Sequence, residues 1–307
     1  MEIIRDLAAL KPHPWPVVAL GNFDGVHMGH QEILRTAIGL ARPRRGAAFA
    51  LTFDPNPAKV LAPERAPRMI MTPEDKLECL RVSGIDAVLV IEFSRAFSTV
   101  EPRDFVRDYL IKRIGARGVV VGHSVSFGHN RAGNAEAMRA LGAEMGIEVR
   151  VVGPVKVAGM EVSSSRIREA IAAGDMRAAA KLLGRAHFLR GPVVHGRERG
   201  RKIGFPTANI QSRTECLPPD GVYATRLALD DGAYASITNI GMRPTFAEPE
   251  RTVEAHVFDF DRDIYGADVR LEFIERIRPE RKFESAGALA AQIASDLKRA
   301  REILAPA

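Results

Sequence analysis

The fold of the first half of the chain is decided by the stretch from Val17 to His30, which reads VVALGNFDGVHMGH. Its first four residues are apolar and include β-branched side chains, which is typical of a buried strand. A glycine-rich turn follows, and residues 31–41 then have the periodicity of a helix. In an open parallel sheet, such a turn lies at the ligand crevice, where a helix N-terminus offers its N–H groups to phosphate.

The turn ends in two histidines, His27 and His30, that are three residues apart. On the first turn of a helix, this spacing places both imidazoles on one face. Two such donors can stabilise the charge that develops on a phosphoryl oxygen as pyrophosphate leaves. The alternative is that the histidines only cap the helix or form hydrogen bonds in the core. The stretch is not a P-loop, because no Gly-Lys-Ser/Thr closes it.

The rest of the first half alternates between apolar runs and helical patterns. We predict strands over 47–53, 87–92, 118–122 and 148–153, and helices over 73–82 and 102–114, each of which opens with a proline. Strands that alternate with helices in this way indicate βαβ units. The pattern predicts a Rossmann-like, doubly wound parallel sheet.

A second polar cluster, Ser163-Ser164-Ser165-Arg166-Ile167-Arg168, stands at the start of a predicted helix over 166–172. Hydroxyl groups, the N–H groups of a helix start and two arginines together favour an anion site. The alternative is a capped helix followed by exposed arginines. A further helix is predicted over 176–183, and we place the domain boundary at Gly184, which gives domains of residues 1–184 and 185–307.

The second half alternates with the period of two that is typical of strands, over 221–229, 234–240, 253–258 and 269–276. These short runs are separated by Gly, Pro and Asp, which predicts a small antiparallel barrel or sandwich. The chain ends in an amphipathic helix whose apolar face we expect to pack against that barrel. That face is formed by Leu289, Ile293, Leu297 and Ile303.

A second candidate site lies between residues 195 and 209, where glycines, cations and small polar residues are concentrated. The hydroxyl of Thr207 and the amide oxygen of Asn209 are hard ligands of the kind that Mg²⁺ accepts. Further along, alternation places Glu254 on the face opposite Val253 and Ala255, where its carboxylate can take a proton from a substrate hydroxyl. The alternatives are a basic surface hairpin and an exposed glutamate.

The stretch GNFDGVHMGH, together with SSSRIR at 163–168, resembles the nucleotidyltransferase module of prokaryotic bifunctional riboflavin kinase/FAD synthetases. The resemblance covers nearly the whole chain. It implies that His27 and His30 contact the phosphates of ATP during adenylyl transfer to FMN. The other ATP-binding residues that it implies are Gly21, Asn22, Phe23, Asp24, Gly29, Ser163, Ser164, Ser165, Arg166 and Arg168.

Four motifs of the second half, GFPTAN at 204–209, GVY at 221–223, NIGMRPT at 239–245 and VEAH at 253–256, resemble in this order the riboflavin kinase module of the same family. The resemblance implies that Gly204, Pro206, Thr207 and Asn209 bind ATP and Mg²⁺. It also implies that Glu254 is the base that activates the ribityl 5'-hydroxyl of riboflavin. Flavin contacts are carried over to Arg278, Glu280 and Phe283.

Two segments of the first half depart from the family pattern. Asn56 stands where the family usually has histidine, and Ser124 and Val125 stand where it tends to have Asp or Asn followed by Phe. We expect adenylylation to be slower or to have an altered affinity for the nucleotide. One alternative is therefore a monofunctional riboflavin kinase with an impaired first domain. Others are a nucleotidyltransferase for another small molecule and a non-catalytic regulator that binds flavin or nucleic acid.

The composition limits the class of protein to which the chain can belong. The chain has 307 residues, which suits two domains, and 46% apolar with 27% charged residues is typical of a globular protein. The net charge of +6 comes without a Lys/Arg-dense run with interleaved aromatics, so we expect small anionic substrates and not nucleic acid. Two cysteines and the lack of a leader or a long apolar span predict a cytoplasmic protein.

Overall fold

The computed structural model describes residues 1–196, 205–243 and 250–305. The chain forms two compact units, one of Met1–Arg68 with Thr72–Ser164, and one of Met69–Met71 with Ser165–Ala307. No helix in the described ranges is long and apolar enough to cross a membrane.

The first unit is built on a six-stranded parallel sheet with the strand order β1-β4-β3-β2-β5-β6, which confirms the predicted fold. The strands are β1 (Glu2–Ile4), β2 (Val17–Leu20), β3 (Ala48–Asp54), β4 (Ala87–Glu92), β5 (Gly118–Gly122) and β6 (Glu148–Val152). The central strands are buried on both faces, as the continuous apolar runs predict. The edge strand β1 was not predicted, because it is three residues long and only Ile4 is buried.

The strand order places a topological switch point between β2 and β5. From β2 the chain passes outward through β3 and β4 on one side, and β5 and β6 extend the sheet on the other. Ligands of open α/β sheets bind at the carboxyl ends of the strands that flank such a point. The glycine turn follows β2, and residues 123–131 follow β5, so both segments meet at this crevice.

Helices connect the strands of the first unit. Those predicted over 31–41 and 73–82 are observed within a few residues of these positions, and the structure adds others. The α-helices of this unit number five in the described residues. They are α1 (Met28–Ala41), α2 (Pro57–Leu61), α3 (Pro73–Val82), α4 (Pro102–Asp104) and α5 (Ala135–Met145), with 3₁₀ turns at Leu7–Ala9, Arg42–Arg44, Pro63–Arg65, Phe97–Thr99 and His129–Arg131. A small hairpin joins β7 (Lys156–Val157) to β8 (Met160–Glu161). Of the longer helices, α5 had not been predicted.

The predicted α-helix over 102–114 is only partly correct. Beyond α4 the chain continues as a π-helix over Phe105–Arg113. At its end, the N–H of Ile114 donates to the carbonyl of Tyr109, five residues earlier. Phe105, Val106 and Leu110 are buried in this segment and Ile114 directly after it, so that buried side chains recur four or five residues apart. The wider turn brings residues at these spacings onto the face that packs on the sheet.

The second unit contains a closed barrel with the strand order β10-β13-β12-β11-β14-β9, so the barrel and not the sandwich is confirmed. Its strands are β9 (His187–Val194), β10 (Ala208–Ile210), β11 (Gly221–Leu229), β12 (Gly232–Arg243), β13 (Glu250–Val257) and β14 (Asp268–Pro279). All neighbouring strands are antiparallel. Apolar residues such as Tyr223, Leu271 and Phe273 fill the interior and are fully buried.

Two helices precede the barrel, α6 (Ser164–Ala173) and α7 (Met176–Leu183). The compact units divide the chain at Ser164, earlier than the predicted boundary at Gly184. The physical reason is that α7 packs against β9 and β14 of the barrel and buries Leu182 and Leu183.

The terminal helix α8 (Ala286–Leu304) packs on the outside of the barrel, as its apolar face predicts. Buried Ala300 and Leu304 contact Ala224 of β11, and Leu297 and Ile303 add to the same cluster. The predicted face residues Leu289 and Ile293 are only half-buried.

Candidate active sites

A cavity of about 740 Å³ lies at the carboxyl ends of β2 and β5, where the switch point predicts a ligand site. The predicted nucleotide-binding residues Gly21, Asn22, His27, Gly29, His30, Ser163 and Ser164 all line it. Phe23 and Asp24 are buried beneath the same turn, 0% and 6% exposed. The cavity therefore brings together most of the first predicted site.

The two imidazoles at this cavity form a stacked pair. Their ring centroids are 3.6 Å apart with an interplanar angle of 14°. His27 is also the N-cap of α1, since its Nδ1 accepts a hydrogen bond from the N–H of His30 at 3.2 Å. A Cβ at Gly29 would lie 3.2 Å from the His27 ring, so glycine is the residue that fits there. The cap thus fixes the orientation of the pair at the cavity wall.

The turn between β2 and α1 has an unusual backbone conformation. Phe23, Gly25 and Val26 have positive φ values of 51°, 88° and 37°. Glycine adopts this region without strain, but non-glycine residues there cost about 1–3 kcal/mol each. The surrounding structure must therefore hold the turn in place.

Side chains from three elements hold the carbonyl groups of this turn. Thr52 Oγ1 donates to the Asn22 carbonyl at 3.1 Å, Ser164 Oγ to that of Asp24 at 2.9 Å, and Gln31 Nε2 to that of Val26 at 2.9 Å. The serine cluster was predicted as a ligand of ATP, and Ser164 in addition stabilises the turn that carries the histidines.

Lys76 of α3 lies behind the turn. Its Nζ donates to Thr52 Oγ1 at 3.2 Å and to the Phe53 carbonyl at 3.3 Å. Burial lowers the pKa of Lys76, and the negative charges of Asp54 and Asp24 act in the opposite direction. The sequence predicts α3 as a helix but not this contact, because nothing local to Lys76 indicates that it contacts β3.

The departures from the family pattern also lie at this cavity, which is lined by Asn56, Ser124 and Val125. Asn56 Oδ1 accepts a hydrogen bond from the N–H of Ala58 at 3.0 Å and so caps α2. An aromatic wall is nevertheless present. It is formed by Phe53, Phe93, Phe97, Phe105 and Phe127.

The remaining residues of the serine and arginine cluster, Ser165, Arg166 and Arg168, follow Ser164 on α6 and belong to the second compact unit. Their contact with ATP stays a prediction.

The second candidate site is a row of polar side chains across the barrel. In the strand register, Glu254 of β13 stands opposite Asn209 of β10 on one side and Asn239 of β12 on the other. Directly paired residues project from the same face of a sheet. Val253 and Ala255 are buried in the interior, so the row lies on the outer face, as the alternation predicts. Asn239 was not named as a site residue, because only the register brings it next to Glu254.

Contacts on either side hold the strand that carries Asn209. His256 Nδ1 forms a hydrogen bond with the Pro206 carbonyl at 2.8 Å, directly before Thr207. A Cβ at Gly196 would lie 2.2 Å from the Asn209 side-chain nitrogen, so only glycine allows this approach. The predicted residue Gly204 lies outside the described residues, as do residues 197–203 and 244–249.

The predicted flavin-binding residues lie at the end of β14 and beyond it. Arg278 stands opposite Val222 of β11, which is itself paired with Asn239, so the row that contains Glu254 continues to Arg278. The Arg278 guanidinium lies 5.5 Å from the Phe283 ring centroid and is bonded to buried Asp296 of α8 at 2.8 Å. The Glu280 carboxylate packs over Gly241, where a Cβ would lie only 2.8 Å from it.

The oxygen donors of the barrel fit a hard divalent cation that keeps water and phosphate ligands. Thr207 and Asn209 supply neutral oxygens, and Glu254 stands beside Asn209 in the register. Within the described ranges, no group of three or more His, Cys, Asp and Glu side chains is placed to hold a metal by itself.

Comparison with known proteins finds a family match for each half of the chain. The sequence model of the FAD synthetase family matches residues 11–166, and that of the riboflavin kinase family matches residues 183–304. A bifunctional riboflavin kinase/FMN adenylyltransferase of Bacillus subtilis is 37% identical over 290 residues, covering 92% of this chain and 91% of its own. The Escherichia coli K12 enzyme of the same description is 35% identical over 305 residues, covering 98% and 97%.

These matches define a two-domain transferase of flavin cofactor synthesis. The chain belongs to the family of bifunctional riboflavin kinase/FMN adenylyltransferases, as its motifs predict, and carries both activities. Nothing supports the alternative of a monofunctional kinase. Riboflavin, FMN, FAD and ATP are the substrates and products of this family, and its reactions require a divalent metal.

A solved structure has the same fold. It is a Streptococcus pneumoniae protein described as a macrolide-efflux protein, with a TM-score of 0.88, 33% identity and coverage of 97% of this chain and 98% of its own. That description applies to the pneumococcal protein. The match confirms the order of a parallel-sheet domain followed by a barrel.

Proposed function

We propose that the first cavity transfers the adenylyl group of ATP to FMN, and that the row on the barrel transfers the γ-phosphoryl group of ATP to riboflavin. One observation carries this assignment. The histidine pair His27 and His30 lies in the first compact unit, whereas Asn209, Glu254 and Asn239 lie in the second. Each unit holds its own set of reactive side chains.

In the kinase reaction, the ribityl 5'-hydroxyl oxygen attacks the γ-phosphorus of ATP, and the bond to the β-phosphate oxygen breaks to release ADP. The Glu254 carboxylate accepts the hydroxyl proton. Thr207 and Asn209 hold Mg²⁺, which when bound supplies positive charge at the phosphates. Pro206 places the adjacent backbone at the nucleotide, and Arg278, Glu280 and Phe283 contact the flavin.

In the adenylyl transfer, a phosphate oxygen of FMN attacks the α-phosphorus of ATP, and pyrophosphate leaves. His27 and His30 donate hydrogen bonds to the phosphate oxygens on which charge develops. Gly21, Asn22 and Gly29 allow the backbone to approach the nucleotide. Ser163, which lines the same cavity, is assigned to the phosphates as well.

The enzyme is assigned to the cytoplasm and to small-molecule partners, without nucleic acid. Cys79, which is half-buried, and Cys216, which is buried, are not joined in a disulfide, which supports a reducing compartment.

The experiment supplies riboflavin, ATP and Mg²⁺ to each variant and resolves FMN from FAD by chromatography. Glu254→Gln is expected to stop FMN formation, with Glu302→Gln, an exposed glutamate of α8, as its control. His30→Asn is expected to let FMN accumulate without FAD, with His13→Asn as its control. A second assay supplies FMN and ATP in place of riboflavin, and there Glu254→Gln is expected to form FAD. Loss of both FMN formation from riboflavin and FAD formation from added FMN in one folded variant would contradict the division of the sites.

A further inference from the structure

Lys76 is a charged residue that the two reactions described above do not use. It does not line the cavity, and it lies against Thr52, which is completely buried. Burial of an ammonium group is unfavourable, and an apolar side chain of similar length would pack there without that cost. The hydrogen bonds of Lys76 point to what it contributes.

We propose that Lys76 is a positioning residue for adenylyl transfer, which acts through Thr52 to fix the Asn22 peptide of the ATP-binding turn. This inference rests on the proposed assignment of that turn to ATP. The connection runs from Lys76 Nζ to Thr52 Oγ1 at 3.2 Å, and from Thr52 Oγ1 to the Asn22 carbonyl at 3.1 Å.

The chemistry of the groups fixes the direction of this connection. An ammonium group only donates hydrogen bonds, whereas a hydroxyl has one proton and accepts through its lone pairs. Thr52 therefore accepts from Lys76, and its single proton is directed to the Asn22 carbonyl. Without the ammonium, the hydroxyl can rotate and the carbonyl loses a fixed donor.

The orientation of the Asn22 carbonyl determines that of the next N–H group. The peptide unit is planar and trans, so the N–H of Phe23 points opposite to the Asn22 carbonyl. Phe23 has a φ of 51°, and Asn22 lines the cavity. Holding this one carbonyl therefore holds a strained peptide at the nucleotide site, and the further bond from Lys76 to the Phe53 carbonyl keeps the lysine on β3.

The test compares Lys76→Met and Thr52→Val, singly and together, in the full-length enzyme supplied with FMN and ATP. Met retains the apolar length of the lysine, and Val retains the shape of the threonine. Each single change is expected to raise the KM for ATP in adenylylation about tenfold, the effect of losing one hydrogen bond to a charged donor. The KM for FMN should change less than twofold, as should the riboflavin kinase rate of the same molecules.

Two features separate positioning from a general loss of stability. In the double variant, the KM for ATP should rise by less than the product of the two single increases, because both changes interrupt one connection. Thr52→Ser, which keeps the hydroxyl, should retain the KM of the unmodified enzyme. Lys112→Met is the matched control, since Lys112 is 65% exposed and paired with Asp108 on the same unit.

An unchanged KM for ATP in Lys76→Met would overturn the inference. So would a double variant in which the increase in KM equals the product of the two single increases. If Lys76→Met fails to fold, Thr52→Val and Thr52→Ser decide, because equal KM values in these two would overturn it as well. If Lys76→Met leaves the KM for ATP unchanged while His30→Asn abolishes adenylylation, only the inference about Lys76 is refuted. If His30→Asn leaves adenylylation intact, the proposed assignment of the turn fails instead.

Discussion

Asn56 and His27 are two residues of one cavity that play the same structural part. Each accepts a hydrogen bond from a backbone N–H through its side chain and so caps a helix, α2 in one case and α1 in the other. A histidine is thus compatible with a cap in this protein. Asn56 cannot act as a proton donor with a pKa near neutrality, which a histidine can.

Asn56→His is therefore expected to raise the turnover of adenylyl transfer and to keep the cap through Nδ1. Asn56→Ala is the matched control, which removes the cap, costs about 1 kcal/mol of stability and gives no gain in turnover. The measurement is the rate of FAD formation from FMN and ATP. No gain in Asn56→His would show that asparagine serves the reaction equally well.

His187 predicts a dependence of barrel stability on pH. It is buried in β9, where its Nε2 donates to the Cys216 carbonyl at 3.1 Å, and burial lowers the pKa of His187 to about 4. The unfolded chain binds a proton near pH 6.5, whereas the folded barrel resists protonation until about pH 4. The contribution of neutral His187 to the stability of the barrel is therefore fully present above pH 6.5 and is lost as the pH falls towards 4.

The urea-unfolding free energy of the barrel should fall by about 2 kcal/mol between pH 7 and pH 5 through His187 alone. His187→Leu should lack this contribution, so its curve between these pH values should be flatter. An equally steep dependence in the variant would assign the effect to other groups.

At the residue scale, the sequence identified side chains whose neighbours are close in the chain. His27 and His30 stack because they are three residues apart on one helix. Lys76 and Asn239 were missed, because Lys76 meets Thr52 across 24 residues and Asn239 meets Glu254 only through the strand register. Local spacing contains no information on such contacts.

At the scale of elements, the terminal helix α8 is joined to the barrel by an ion pair as well as by apolar packing. Asp296 is 3% exposed, bonds Arg278 at 2.8 Å and also accepts from Gln292. Removal of one partner leaves the other charge largely buried without compensation.

Asp296→Ala is expected to destabilise the barrel by about 3 kcal/mol, because the Arg278 guanidinium is left unpaired. The control is Asp259→Asn, which removes the charge of an exposed pair with Arg301 of the same helix, tolerates the positive φ of 52° at this position and should cause no measurable loss. Thermal unfolding of both variants checks this. Equal stability of the two would mean that the buried pair contributes no more than a surface pair.

The elements that were predicted have strong periodicity or long apolar runs, such as β2, β5 and α3. β9 was missed because Gly191 and Pro192 suggest a break in the chain. In the barrel, Pro192 pairs with Asp268, and a Cβ at Gly191 would lie 2.1 Å from the Gln211 carbonyl oxygen. Glycine here permits the close approach of two strands.

At the scale of the whole molecule, closure of the barrel brings together the row of polar side chains that we propose as the kinase site. Alternation predicted the outward face of Glu254, but the pairing of β13 with β10 and β12 depends on how six strands close. The family motifs had grouped Asn209 with Glu254 without this information, and the register places these two residues opposite each other. The parallel sheet was predicted more fully, because its connections follow the order of the chain.

The central claim is that each unit transfers a different part of ATP, and the fate of labelled phosphate tests it most directly. The enzyme is supplied with ATP labelled at the α- or the γ-phosphorus, and FMN and FAD are separated and counted. We predict γ-label alone in FMN, both labels in FAD made from riboflavin, and α-label alone in FAD that Glu254→Gln makes from added FMN. The α-label in FMN, or failure of Glu254→Gln to form labelled FAD from FMN, would contradict the account.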